Sequence, residues 1–142
     1  MLLNKYADKI GKNFEVQTDF SSNSTVYNSD IVITDWSSIA QEFSLTTKKP
    51  TLFINTPMKV MNPEWQKIGI EPMDIWIRDK IGVSVDIDKL DNINIIIEEM
   101  LNNKDKYKAN IEDLLDNCLY NKGHAAEVGG RYIIKQVSKT KD

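Results

Sequence analysis

Asp35-Trp36-Ser37-Ser38 is the run in this chain whose side chains and setting best suit chemistry at an anion. Two adjacent hydroxyls, followed by the opening backbone N–H groups of a helix that includes Ile39, make a donor set that favours phosphate or pyrophosphate. Thr34, Asp35 and Trp36 play supporting parts. A carboxylate repels phosphate when no metal lies between them, so Asp35 suits accepting a ligand hydroxyl or orienting the turn. The same residues also describe an ordinary capped helix on a scaffold. Cations that would complement the turn lie in a long downstream loop. Arg78 is the best of them, because its planar fork is bidentate and always charged, and Lys59 is the second. Lys67 and Lys80 read as solvated. His124, beside Gly123 at a helix start, is a further candidate, although this setting more often holds a cap or a surface residue. Trp36, Trp65 and Trp76 are read two ways, as stacking platforms for a base or sugar and as packing residues.

The elements that must position these residues follow from apolar spacing. Ile31, Val32 and Ile33 are consecutive and β-branched, which predicts a strand buried on both faces. Ser38 and Gln41 stand at capping-box spacing, and Ile39 and Phe43 share a helix face. Lys49-Pro50 ends that helix. Thr51–Ile54 predicts a second buried strand closed by Asn55-Thr56-Pro57, so strand, helix and strand form a right-handed βαβ unit. Gly82–Val85 predicts a third parallel strand. Asp88 is expected to cap a helix carrying Ile93, Ile96, Ile97, Met100 and Leu101, which Asn102 and Asn103 break. Further helices are expected to carry Tyr107, Ile111, Leu114, Leu115 and Cys118, and then, from Ala125, Val128, Tyr132, Ile133 and Val137. Upstream, residues 1–11 read as a helix stopped by Gly11, and Phe14–Thr18 as a half-buried strand. Ser21–Thr25 reads as a polar loop that caps a brief helical turn through Val26 and Tyr27. The long connection from Met58 to Lys80 is expected to be functional or partly helical, with Asn62-Pro63-Glu64 starting a turn. Together these predict a three-layer, Rossmann-like α/β domain over 1–142, with a mainly parallel sheet of about four strands.

Composition narrows the classes. The chain has 142 residues, 41% hydrophobic and 27% charged, with a net charge of −3, which disfavours nucleic acid as a partner. One cysteine and one histidine exclude an internal disulfide and a Cys/His zinc cage within one chain. Gly-x-Gly-x-x-Gly and the P-loop pattern are both missing. Metal ligation and a resident cofactor are not expected, and the cytoplasm is the expected compartment.

The stretch Ser29-Asp-Ile-Val-Ile-Thr-Asp-Trp-Ser-Ser-Ile-Ala-Gln-Glu-Phe43, followed by Lys49-Pro-Thr-Leu-Phe-Ile54, resembles the C-terminal half of CDP-glycerol glycerophosphotransferases. Tyr120-Asn-Lys-Gly-His-Ala-Ala-Glu127 resembles that family's terminal segment before its last helix. The similarity covers about residues 14 to 137 in the right order. Trp36 stands where tyrosine is common, and the family's upstream histidine motifs do not occur. What the resemblance implies is the donor-binding half of a two-lobed GT-B transferase that makes teichoic-acid-like cell-envelope polymers. Ser37 and Ser38 would touch the phosphates of a nucleotide-diphosphate donor such as CDP-glycerol or a nucleotide sugar, with Asp35 in support. The chain would then be a fragment lacking its N-terminal lobe and inactive alone. The acceptor would be a polymer or glycolipid, and the full enzyme would sit at the inner face of a membrane, with a homodimer as a further expectation. Two readings from other classes stand beside it. One is a receiver-like module phosphorylated on Asp35, which would need carboxylates beyond Asp19 to hold Mg²⁺. The other is a degenerate lobe serving as an interaction domain.

Overall fold

Three apolar runs become three parallel strands. The computed structural model describes residues 2–19, 23–58 and 62–139. In chain order these hold α1 (Leu2–Lys5), α2 (Ser24–Asn28), β1 (Val32–Thr34), α3 (Ile39–Thr47) and β2 (Thr51–Asn55). A 3-10 turn (Trp65–Ile68), α4 (Met73–Trp76), α5 (Arg78–Ile81) and β3 (Gly82–Asp86) follow. A 3-10 stretch (Ile87–Asn92) then leads into α6 (Ile93–Asn102), α7 (Lys104–Cys118) and α8 (Ala125–Lys139).

The sheet order is β1-β2-β3, with Val32 opposite Thr51 and Thr51 opposite Gly82. Side chains alternate across β2, so Phe53 joins one apolar layer and Leu52 the other. Phe53 packs with Ala40 of α3, Ile81 of α5, and Ile111 and Leu114 of α7. On the opposite face Leu52 and Val85 meet Met100 of α6, with Ile93, Ile96 and Ile97 packed around them. Helices therefore cover both faces, and the architecture is a Rossmann-like α/β fold. Each fully buried aliphatic or aromatic side chain contributes about 1.5–3 kcal/mol relative to exposure. Helix α3 stops where proline requires: Lys48 takes the left-handed conformation (φ 60°) and its N–H returns to the Ser44 carbonyl.

Several expectations are corrected. Among the described residues the sheet has three strands. The predicted strand at Phe14–Thr18 is irregular: among the described residues it does not join the sheet. Phe14 instead bridges back to Gly11 and sets its ring edge-on to Tyr6, centroids 5.8 Å apart. The helix expected over 1–11 ends at Lys5, and Leu3 and Ile10 stay exposed, so little burial supports a longer helix. The first strand is an edge rather than a central strand, so Ile33 is exposed. Asp88 lies in the first turn of the 3-10 stretch, and α6 starts at Ile93 without a side-chain cap. Cys118, at the last position of α7, is exposed rather than core. The turn expected at Val26 and Tyr27 is α2, which takes in Ser24 and Thr25 of the loop expected to cap it; residues 21 and 22 of that loop lie outside the described set. No helix among the described residues is long and apolar enough to cross a membrane.

Candidate functional site

Parallel strands deliver their carboxyl ends to one edge, and there the serine turn sits between β1 and α3. Ser37 and Ser38 are both exposed. The expected capping box is not formed: Ser38 is already helical (φ −60°, ψ −19°), its hydroxyl reaches Glu42 Oε1 at 3.4 Å, and Gln41 donates to Asp74 Oδ1 instead. Capping moves one residue earlier. Ser37 Oγ accepts the Ile39 N–H at 3.4 Å, and the Ser37 carbonyl accepts from Ala40. Among the described residues no acceptor takes the backbone N–H of Ser37 or Ser38. The positive end of the α3 dipole faces the same way. Two carboxylates border the turn, Asp35 and Glu42, both exposed. An anion arriving here would replace Glu42 at the Ser38 hydroxyl.

Beneath the turn lies Arg78, at the start of α5 and only 5% exposed. Its Nη1 donates to the Asp35 carbonyl at 3.2 Å, its Nη2 to Asn55 Oδ1 at 2.7 Å and its Nε to Ser84 Oγ at 3.3 Å. The guanidinium is also flanked by two rings, 4.0 Å from the Trp36 centroid and 4.4 Å from that of Phe53. Burial lowers its pKa, and the carboxylates of Asp79 and Asp35 offset only part of that; a guanidinium stays charged in proteins. Trp36 is fixed a second time, its Nε1 donating to the Thr56 carbonyl at 2.8 Å, while Thr56 Oγ1 donates to Asp35 Oδ2 at 3.4 Å. Across the strand ends Asn55 Nδ2 donates to Asp86 Oδ1 at 2.7 Å, and Lys89 holds the other carboxylate oxygen at 2.8 Å. Those two bonds keep the Asp86 carboxyl below its ordinary range.

The structure thus brings together Thr34, Asp35, Trp36, Ser37, Ser38, Ile39 and Arg78. It does not bring His124 to them: that side chain is exposed at the start of α8, 3.8 Å from Glu127. Lys59 lies outside the described residues. Trp36 is used for stacking on Arg78 and Trp76 for packing against the core layer of Phe53. Lys67 is tied to Glu64 at the surface. Asn55, Thr56, Ser84 and Asp86 belong to the site's framework and were invisible locally; only Asn55-Thr56-Pro57 gave a signal, and that was for a turn. Among the described residues no three His, Cys, Asp or Glu side chains gather as a metal site. Elsewhere, Val83, Ile96, Glu99, Met100, Lys106 and Tyr107 line a shallow hollow of about 230 Å³ on the α6–α7 side. Burial, and secondarily Glu99, raise the Tyr107 phenol there. Comparison with protein-family models, with curated proteins and with solved structures found no match.

Proposed function

We propose that this chain is the donor-binding lobe of a glycerophosphotransferase or glycosyltransferase, taking a nucleotide-diphosphate-activated donor such as CDP-glycerol or a nucleotide sugar. The observation that carries the reading is the exposed Ser37–Ser38 pair, with its unclaimed N–H groups, at the carboxyl edge of a parallel sheet. The resemblance of the Asp35–Ser38 block to the glycerophosphotransferase family supports it. In this reading the Ser37 and Ser38 N–H groups and hydroxyls hold the donor's phosphates. The transferred bond is broken by an acceptor hydroxyl attacking the activated donor, and the nucleotide leaves as an anion. Charge developing on that leaving group is what a fixed set of donors at a helix start stabilises. The acceptor, a polymer or glycolipid, and the groups that activate its hydroxyl belong to a second lobe, so this lobe alone binds without transferring. A cytoplasmic setting at a membrane's inner face, in cell-envelope polymer synthesis, completes the proposal.

Calorimetric titration with CDP, UDP and CDP-glycerol tests it. Wild type is expected to bind at least one of them with sub-millimolar affinity. Ser38→Pro is the discriminating variant: proline suits φ −60° at a helix start, yet it deletes both the N–H and the hydroxyl. Each charge-assisted hydrogen bond to an anion is worth about 1.5–3 kcal/mol, so affinity is expected to fall at least about tenfold with the melting temperature little changed. Wild-type protein that takes up none of the three nucleotides would count decisively against the reading.

A further inference from the structure

Among the described residues Arg78 bonds to β2, to β3 and to the turn that leaves β1. Its three nitrogens reach the Asp35 carbonyl after β1, the Asn55 side chain at the end of β2, and the Ser84 hydroxyl on β3. Its guanidinium carbon lies 4.0 Å from the ring centroid of Trp36 in the turn and 4.4 Å from that of Phe53 in the core. With 5% of the residue exposed, the fork is aimed into the protein rather than at an incoming ligand. Trp36 in turn is anchored at its far side by the Thr56 carbonyl. The backbone from Asp35 to Ser37 is therefore gripped at the Asp35 oxygen and at the Trp36 ring, immediately before the two unclaimed N–H groups.

We propose that Arg78 is the positioning residue of the anion seat, setting the Ser37 and Ser38 N–H groups from beneath through Asp35 and Trp36, without touching the ligand. The proposal rests on the donor-binding reading. A buried cation is a costly way to fill space, and a well-packed apolar residue would often do as well or better for stability alone. What the guanidinium supplies that an apolar residue cannot is three directed donors in one plane, joining β2 and β3 to the Asp35 carbonyl that opens the turn. It also leaves a positive charge beneath the seat, partly offset by Asp35. Preorganised donors of this kind need no rearrangement when the anion arrives.

Two-dimensional ¹H–¹⁵N spectra test it, because the chain has three tryptophans and so three indole N–H signals. In ligand-free Arg78→Lys, which keeps the charge but loses the fork, the Trp36 indole signal and the Ser37 and Ser38 amides are expected to shift. Their hydrogen exchange is expected to speed up, while the amides of β2 and β3 stay in place. CDP affinity is expected to drop by about tenfold or more. In Arg78→Gly, about 20 mM guanidinium, far below denaturing concentrations, is expected to restore both the indole signal and CDP binding, and methylammonium to restore neither. Should Arg78→Gly fail to fold, Arg78→Lys alone decides. An unmoved turn in Arg78→Lys, with CDP affinity either kept or lost, overturns the positioning role; loss with an unmoved turn would mean direct contact. Wild type that leaves CDP, UDP and CDP-glycerol unbound overturns the donor-binding reading and this proposal together.

Discussion

Gly82 shows how tightly a single position can be determined without any special backbone angle. A Cβ placed there would lie 1.6 Å from the Thr51 carbonyl oxygen on the neighbouring strand. Its φ of −177° is extended backbone open to any residue, so the restriction is purely one of space. Because the obstructing atom is backbone in a central strand, it has little room to yield. Gly82→Ala is expected to cost about 3 kcal/mol, the upper end of overpacking, seen as a lower urea midpoint with an unchanged m-value. A loss under about 0.5 kcal/mol, within the range of ordinary surface changes, would show that the strands can part. At this scale the sequence was partly readable. Ser37 and Ser38 were found because a hydroxyl pair ahead of a helix is a local pattern. The arrangement of Arg78 was not, because its partners Asp35, Asn55 and Ser84 come from the turn after β1, from β2 and from β3, and their convergence depends on sheet order and register.

Elements were legible where one physical term dominated. A continuous apolar run marked β2, Gly82-Val-Ser-Val85 marked β3, and Pro50 marked the end of α3. The same logic misplaced Ile33, because a β-branched run specifies a strand without saying whether a neighbour covers it. It failed at Phe14–Thr18, where the alternation is present but, among the described residues, the segment does not join the sheet. Between elements, the ends of β2 and β3 are tied by Asn55, Asp86 and Lys89, and this tie carries a pH dependence. Asp86 is held below its ordinary 3.8 by the Asn55 hydrogen bond first and by Lys89 second. A carboxyl whose folded pKa is depressed contributes stability above its unfolded value, and that contribution is lost as pH falls through the folded one. Wild type is therefore expected to lose melting temperature below about pH 4. Asp86→Asn, which keeps an oxygen for Asn55 to bond, is expected to flatten part of that acid limb while leaving the share of Asp116, lowered in the same way by Lys122. Identical acid limbs in the two proteins would show that the tie is neutral to folding.

On the scale of the whole molecule, the two core layers end with α7, and α8 lies outside them. No residue of α8 is buried, and Tyr132, Ile133, Ile134 and Val137 are all exposed. Its apolar spacing was readable in the sequence; what covers that spacing was not, because periodicity reports a face and not its partner. The helix also carries Gly129 and Gly130 in its interior, each costing about 1 kcal/mol relative to alanine. A helix of 15 residues is marginal alone in water, and here no tertiary burial offsets the glycines. Links to the body, such as Lys122 with Asp116, are surface ion pairs of little net worth. The three-stranded body should therefore unfold as one cooperative unit to which α8 adds almost nothing. A chain ended after Tyr120 is expected to melt within about 2 °C of the full chain, a difference of under about 1 kcal/mol at this size. Its far-UV helical signal should fall, and amide exchange across 125–139 of the intact chain should be fast while that of β2 stays slow. A drop of more than about 5 °C on truncation would mean that α8 docks onto the body in solution and that its apolar residues are part of the core.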